Sequence, residues 1–417
     1  MRKIKAIISD KILLQNFSYI TALQVFLLIA PLITYPYLVR VLGQELYGLI
    51  LSAQMLASYA SIIIDFGSNG VCAKHISINR NNPSKLAEIL NSVLVVRFTL
   101  FIITFLLYMG VVFLIPQYKA YYLLFILTYG LTFNDLLFPQ FFFQGIENMK
   151  AITLINISTK LFFIVLIFII VKNPDDYLFV PLLYSLGYVL GGAYSIYLIY
   201  HVQGIKFIIP NVRTILYYLK DCSALFANDL ICTIKDKVNY IFVGIYAGMS
   251  DVVVYDLGLK MHSLLTKPMQ ILTTVLLPRF AANRNVKKLI RVLVVSFSMA
   301  LVLVLLTNLF LPQIVNFFIH KQIDYLPLRL FLLAPLFVSV SSVISSNLFI
   351  AFGYNRYVLH SIIVTTFVYV IVFIYLLFSG RLNSVNSFIA LALISYFTEF
   401  IYRIIKASRI IKMEKES

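Results

Sequence analysis

Charged residues are scarce in this chain of 417 residues. Only 12% of them are Asp, Glu, Lys or Arg, against about 25% in ordinary soluble domains, whereas 61% are hydrophobic. A soluble fold could not hide that much apolar surface, because a folded domain still exposes a large part of its surface atoms to water. Together with a mean hydropathy of +0.92, the composition therefore predicts a polytopic membrane protein.

Cysteine is also rare, and the motifs of soluble enzymes are missing. The three cysteines are too few, and odd in number, for a disulfide scaffold. The sequence contains no metal-ligand spacing, no phosphate-cradling glycine loop and no nucleophile elbow, so it predicts no metal and no cofactor. A water-soluble domain is absent too, and this excludes most classes of enzyme.

Most of the sequence consists of apolar stretches that are long enough to cross a bilayer as helices. The first runs from about Phe17 to Val39 and is too long for the apolar part of a signal peptide, so we interpret it as a retained span. Twelve such stretches are predicted, near residues 14–39, 46–71, 89–115, 120–143, 151–171, 177–200, 222–246, 252–278, 289–312, 325–352, 357–378 and 386–405. Gly43 and Gly248 mark the expected turns in the two least certain regions, 14–71 and 222–278.

The basic residues orient these spans. The net charge of +17 lies in short clusters between apolar runs, which is typical of membrane topology and not of a nucleic-acid groove. With an even number of spans, most of the lysines and arginines fall on one side and only five lie in the opposite loops. The positive-inside rule then predicts that both termini are cytoplasmic.

The two halves of the chain contain similar short segments. Asn79-Arg80-Asn81 followed by Ser84-Lys85-Leu86 matches Asn283-Arg284-Asn285 followed by Lys287-Lys288-Leu289, and Gly145 with Asn148 matches Gly353 with Asn355. Six spans per half indicate a parallel repeat of two six-helix bundles around a central cavity, residues 1–205 and 206–417. Residues 206–221 are expected to form a cytoplasmic amphipathic linker helix. Chance similarity among short basic loops is the alternative.

Spans 7 and 8 carry charges where a bilayer disfavours them. The lysines are Lys235, Lys237, Lys260 and Lys267, and the nearby acids are Asp229, Asp236 and Asp256. One interpretation is a set of internal ion pairs, such as Asp236 with Lys260. The excess of lysines favours the other, a water-filled cavity that accepts an anion. Asp65, in the polar stripe of span 2, joins the three acids as a candidate for ion coupling, and Asp135 is a further possible carrier.

Five other charged residues have interpretations of their own. Arg97 and Arg329 lie near predicted span ends, where their side chains are expected to reach the headgroups. Glu399 and Arg403 are spaced as a structural pair on one helix. Lys160 lies near the middle of span 5 beside polar residues and is a candidate for the cationic cavity.

Segments in both halves of the chain resemble a known protein family. Pro36-Tyr37-Leu38-Val39-Arg40-Val41-Leu42-Gly43, followed by Glu45, Tyr47-Gly48 and Asp65-Phe66-Gly67, is similar to the start of Wzx-type O-antigen flippases of the multidrug/oligosaccharidyl-lipid/polysaccharide (MOP) exporter superfamily. In the second half, the residues similar to the corresponding segment of these flippases are Gly244, Tyr246, Gly248 and Tyr255. Arg40 of this motif joins the five lysines as a candidate substrate-binding residue.

The resemblance implies a transporter that moves an undecaprenyl-diphosphate-linked oligosaccharide to the outer leaflet through a cationic cavity. Its implied partners are that glycan, membrane lipids and the glycan polymerase machinery. A cation-coupled multidrug or small-molecule antiporter is one alternative, although such cavities favour acidic linings. A membrane glycan polymerase or acyltransferase is the other, although every predicted outside loop is short.

Overall fold

The computed structural model describes residues 11–319 and 323–416, except for the side chains of residues 11–14, 17, 228, 231–232, 234–236, 278 and 414–416. Within these ranges the chain is helical and contains no β-strand. It forms two compact units, of which the first ends at Ile241 and the second begins at Phe242. The all-α membrane fold predicted from the sequence is thereby confirmed.

The first unit is built from helices that begin at well-defined caps. Asn82 accepts a hydrogen bond from the Lys85 amide at 3.2 Å, and Asn148 accepts one from the Ala151 amide at 3.1 Å, so each side chain satisfies one exposed donor of the helix it precedes. The helices of this unit are α1 Lys11–Asp65, α2 Ser68–Ile78, α3 Pro83–Leu114, α4 Pro116–Lys119, α5 Tyr122–Tyr129, α6 Phe133–Leu137, α7 Gln140–Gly145, α8 Met149–Ile170 and α9 Phe179–Tyr197. Short 3₁₀ or π turns connect or extend several of them.

The connection between the two units is one long helix. Helix α10, Val212–Tyr246, starts in the predicted linker and continues without a break through predicted span 7. The predicted linker segment 206–221 therefore contributes its later residues to α10, and its cytoplasmic, amphipathic character stays a prediction. The first turns of α10 pack on the first unit, because Tyr218 and Cys222 are buried in its core and Asp221 contacts His75 at 2.7 Å. The division of the chain into bundles at residues 205 and 206 also stays a prediction.

The second unit repeats the same construction. Asn285 accepts a hydrogen bond from the Lys288 amide at 2.9 Å at the start of a long apolar helix. The helices are α11 Met249–Ala282, α12 Val286–Leu309, α13 Leu311–Ile319, α14 Leu326–Phe331, α15 Ala334–Val343, α16 Arg356–Phe378 and α17 Val385–Glu416. Phe280, Leu289, Leu348 and Phe349 form part of its core.

Two of the predicted turns occur at glycines with a backbone that other residues rarely adopt. Gly43 has φ 78° and ψ 166° inside α1, and so divides that helix into the two predicted spans. Gly248 has φ 119° and separates α10 from α11. A side chain in this region of φ and ψ is strained, which is why glycine occupies both positions.

Nine helical segments within the described ranges are long and apolar enough to cross a membrane. The first of them, Ser18–Ile78, contains both of the first two predicted spans. Helices α10 and α11 are not among the nine, and they carry four of the six predicted substrate-binding residues. The chain is therefore a multi-pass membrane protein, and a total of twelve spans stays a prediction.

Candidate substrate and ion sites

A fully buried arginine organises the polar interior of the first unit. Arg97 of α3 has none of its surface exposed, and its Nη2 donates to Asp65 Oδ1 at 2.6 Å and to Ser68 Oγ at 2.7 Å. Its Nη1 donates to the backbone carbonyl of Asp135 at 2.7 Å. The expectation that Arg97 reaches the headgroups was therefore wrong.

Breaks in two helices explain why an arginine is needed there. Phe66 and Gly67 have φ 40° and 77°, so α1 stops inside the unit, and α6 stops at Phe138. Irregular backbone at membrane depth needs partners for its polar groups, because lipid supplies none. Arg97 supplies donors to the carbonyls of Asp135 and Phe138 at the second break.

A second carboxylate lies close to the same arginine. The Asp135 side chain hydrogen-bonds with Ser61 and Asn134, and both Arg97 and Asp65 are near enough to act on it electrostatically. Two carboxylates thus lie beside one guanidinium. With both acids ionised this cluster has one surplus negative charge, which is a suitable place for a proton or a small cation to bind.

Lys160 lies against an aromatic ring in the same unit. Its Nζ is 5.9 Å from the centroid of the Tyr188 ring and 3.5 Å from the Tyr188 hydroxyl. Tyr188 is in turn close enough to Asp135 for an electrostatic interaction. The ammonium is therefore stabilised by a ring face, and no carboxylate is bonded to it among the described residues.

In the second unit, α11 carries an ion pair followed by an exposed polar stripe. Lys260 pairs with Asp256 one turn earlier, and Asp256 is buried with 2% of its surface exposed. The alternative pairing of Lys260 with Asp236 involves a side chain outside the described residues and stays a prediction. Further along the same face, exposed polar side chains recur at helical spacing: Ser263, Lys267, Gln270 and Thr274. Polar residues of membrane helices usually face a bundle interior or water.

The remaining predicted residues are less clearly placed. The side chains of Lys235 and Asp236 lie outside the described part of the structure. Asp229 and Lys237 are partly buried on α10, and Arg40 is exposed three residues before Gly43. That the lysines line one common cavity stays a prediction. The predicted structural pair of Glu399 with Arg403 is present, and Arg403 also donates to Ser341 Oγ at 3.0 Å.

Sequence reasoning missed Arg97 because the start of its helix was placed too late. The predicted span began at residue 89, eight residues before Arg97, whereas α3 begins at Pro83 after the cap Asn82. Fourteen residues of helix correspond to about 21 Å, too far for an arginine side chain to reach back to the surface. The Asn-Pro pair is a known helix-start signal and could have revealed this. Tyr188 had no comparable signal.

The first unit also has an apolar groove of about 600 Å³ between α8 and α9. Leu154, Leu190 and Tyr194 line it and are about half exposed, as expected for a surface against lipid tails. None of the predicted binding residues is among the residues that line it. The groove is therefore distinct from the polar cluster around Arg97.

Comparison with known proteins agrees with this architecture. The chain is 22% identical over 285 residues to a putative O-antigen transporter of Escherichia coli K12, covering 68% of this chain and 69% of that protein. It is 27% identical over 220 residues to a putative O-antigen transporter of Shigella dysenteriae, covering 52% and 54%.

Among solved structures, an inward-facing multidrug resistance MATE family transporter of the MOP superfamily has a TM-score of 0.63 at 17% identity. The match covers 92% of this chain and 99% of that one. The fold is therefore that of MOP superfamily transporters. The family model described as polysaccharide biosynthesis protein matches residues 13–284, and the chain belongs to that family.

Proposed function

We propose that the protein is a flippase of the bacterial inner membrane that moves an undecaprenyl-diphosphate-linked oligosaccharide from the cytoplasmic to the outer leaflet. The observation that carries this proposal is the exposed polar stripe of α11, with Lys267 at its centre, in a chain of the polysaccharide biosynthesis protein family. The names of the two curated relatives supply the O-antigen class of cargo.

The lysines fit the physical requirement of this cargo. A diphosphate cannot enter hydrocarbon without compensation, because burying an isolated charge costs many kcal/mol. Ammonium groups at Lys235, Lys237, Lys260 and Lys267 would offset that cost in a wet cavity, with Lys160 and Arg40 extending the cationic lining. The apolar tail of the carrier would remain in the bilayer while the headgroup crosses.

Alternating access would move the headgroup by opening the cavity first to one side and then to the other. An inside-negative potential assists outward movement of the diphosphate, by about 2.3 kcal/mol per charge per 100 mV. Return of the empty cationic cavity opposes the same potential, so a proton or cation that binds an acid would assist it. The cluster of Asp65, Asp135 and Arg97 supports this role, and Asp229, Asp236 and Asp256 are further candidates.

Complementation of a flippase-deficient strain tests the proposal. Lys267→Ala removes an exposed positive charge from the α11 stripe, and we expect it to reduce surface glycan at an unchanged membrane level of the protein. Lys85→Ala is the matched control, because this exposed lysine bonds to Glu88 in the first turns of α3, outside the stripe. If the wild-type chain fails to restore surface glycan, or if Lys235→Ala, Lys260→Ala and Lys267→Ala all transport normally, the proposal is wrong.

Drug susceptibility separates the flippase from the antiporter alternative. A flippase with a cationic cavity should leave the susceptibility of cells to cationic drugs unchanged when the gene is expressed. Resistance to such drugs, abolished by Asp135→Asn, would instead identify an antiporter.

A further inference from the structure

The same helix-start turn occurs once in each unit. In the first unit Asn82 caps α3 and bonds the Lys85 amide, and in the second unit Asn285 caps α12 and bonds the Lys288 amide. The leucine after each lysine is buried. Lys288 is therefore the structural counterpart of Lys85, and the two turns can be compared residue by residue.

Acidic residues neutralise this turn in the first unit. Lys85 Nζ lies 2.8 Å from Glu88 Oε2, and Arg80 Nη2 lies 2.8 Å from Glu147 Oε1. Each basic side chain at the turn thus has its own carboxylate.

One of these acids is replaced by a basic residue in the second unit. The position of Glu88 is occupied by Arg291, three residues after Lys288. Arg284, the counterpart of Arg80, donates to the backbone carbonyl of Phe352 at 3.2 Å and stacks over its ring at 5.6 Å. From residue 257 to residue 323 the sequence contains no Asp or Glu. Lys288 therefore lacks the carboxylate that pairs with its counterpart Lys85.

A cavity of about 350 Å³ opens at this turn. Its lining consists of Arg279, Phe280, Ala282, Asn283, Asn285 and Lys288. Phe280 is buried, whereas the two basic side chains and Asn283 are exposed, and within the described residues neither Arg279 nor Lys288 forms an ion pair. The cavity also lies at the N-terminus of α12, whose dipole favours an anion. Its volume is at the lower end of the range of small-molecule sites.

Membrane topology does not account for this charge by itself. The two turns occupy equivalent places in a parallel repeat and so are predicted to lie on the same side of the membrane. The first turn satisfies the positive-inside rule with its acids in place. The second turn has a cavity lined by two cations, Arg279 and Lys288, that form no ion pair among the described residues. The first turn has acids that pair with its basic side chains.

We propose that this cavity binds a phosphate group, with Arg279 and Lys288 as its charged partners and Asn283 as an additional donor. Guanidinium and ammonium groups form charge-assisted hydrogen bonds with phosphate oxygens, and arginine can bind two of them at once. The phosphate could belong to a lipid headgroup or to a free anion, and the experiment distinguishes the two. The inference goes beyond the proposed function, since binding here does not require transport.

The test uses the purified full chain in nanodiscs of phosphatidylcholine, with calorimetric titration of farnesyl diphosphate and of inorganic pyrophosphate at low salt. We expect Lys288→Ala and Arg279→Ala each to raise the dissociation constant of the proposed cavity site about tenfold. Arg291→Glu, which places the acid of the first turn into the second, should weaken it similarly. Lys85→Ala is the control and should bind like the wild type.

The two probes identify the source of the phosphate. Binding of farnesyl diphosphate but not pyrophosphate at this site indicates a lipid headgroup, and equal binding indicates that the phosphate group alone is recognised; both support the proposal. It is overturned if neither probe binds the wild type, or if Lys288→Ala, Arg279→Ala and Arg291→Glu all bind like Lys85→Ala. Because the readout is binding, a failure of the proposed transport activity in cells would leave this result unaffected.

Discussion

Arg97 Nη2 and Asp65 Oδ1 form an ion pair at 2.6 Å inside the first unit, with the arginine completely buried. The two residues come from α3 and from the last residue of α1, and the pair is extended by Ser68, which bonds to both. This cluster holds together two places where the helical backbone is broken. Arg97 and Asp65 also act electrostatically on the carboxyl group of Asp135.

Removing Arg97 should destabilise the protein strongly. Arg97→Ala leaves Asp65 without its cation and two carbonyls without donors, which costs about 3–5 kcal/mol when one partner of a buried pair is lost. Thermal unfolding in detergent and the level of protein in the membrane measure the effect. The double variant Asp65→Asn with Arg97→Met should be less destabilised than Arg97→Ala, because no unpaired charge remains. Equal stability of Arg97→Ala and the wild type would show that the pair is not formed.

Asp135 should couple transport to an ion gradient. Asp135→Asn keeps the shape of the side chain and its capacity to hydrogen-bond, but it removes the surplus negative charge beside Arg97. In inverted membrane vesicles, collapse of the proton gradient is expected to slow transport by the wild type and to leave the slower Asp135→Asn rate unchanged. Asp324→Asn, at an exposed position outside this cluster, is the matched control and should retain the response. Wild-type transport that is insensitive to the gradient would reject proton coupling.

Lys260 and Lys267 should differ in their effects on stability. Lys260 pairs with the buried Asp256, so Lys260→Ala removes one ionic partner of that carboxylate and should cost about 1–3 kcal/mol. Lys267 is exposed, and Lys267→Ala should change the unfolding midpoint little. Asp256→Asn combined with Lys260→Gln should recover part of the loss. The prediction is wrong if Lys267→Ala destabilises the protein as much as Lys260→Ala does.

Gly43 should be required for its backbone conformation and not for space. A Cβ at Gly43 would meet nothing within 4 Å, and the same is true at Gly110 within α3. The two differ in φ, since Gly43 is at 78° in a region that is nearly exclusive to glycine. Gly43→Ala should therefore destabilise by about 1–3 kcal/mol, whereas Gly110→Ala should be neutral or stabilise by up to about 1 kcal/mol. Similar unfolding midpoints for both variants would contradict this reasoning.

Local signals predicted much of the architecture correctly. The apolar runs predicted the membrane helices, and the helix breaks at Gly43 and Gly248 were predicted from single residues. The i,i+4 pairing of Glu399 with Arg403 followed from helix geometry alone. Signals of this kind lie within a few residues of the feature that they predict.

Contacts between distant segments were not accessible in the same way. Arg97 was expected near the headgroups, and the packing of the start of α10 on the core of the first unit was not predicted. The partners that decide these points, Asp65 for Arg97 and the core around Cys72 for the start of α10, are far away in sequence.

The sequence by itself determined that this chain is a helical membrane protein, because each membrane-spanning segment must satisfy its own backbone hydrogen bonds and a helix does so locally. Only the tertiary structure decided which charges are neutralised. Glu147 is near Arg80 and Asp65 is near Arg97 because the helices pack side by side, whereas Lys288 itself forms no ion pair among the described residues. The energy of a charge depends on what surrounds it in space, and that surrounding is set by packing and not by sequence distance.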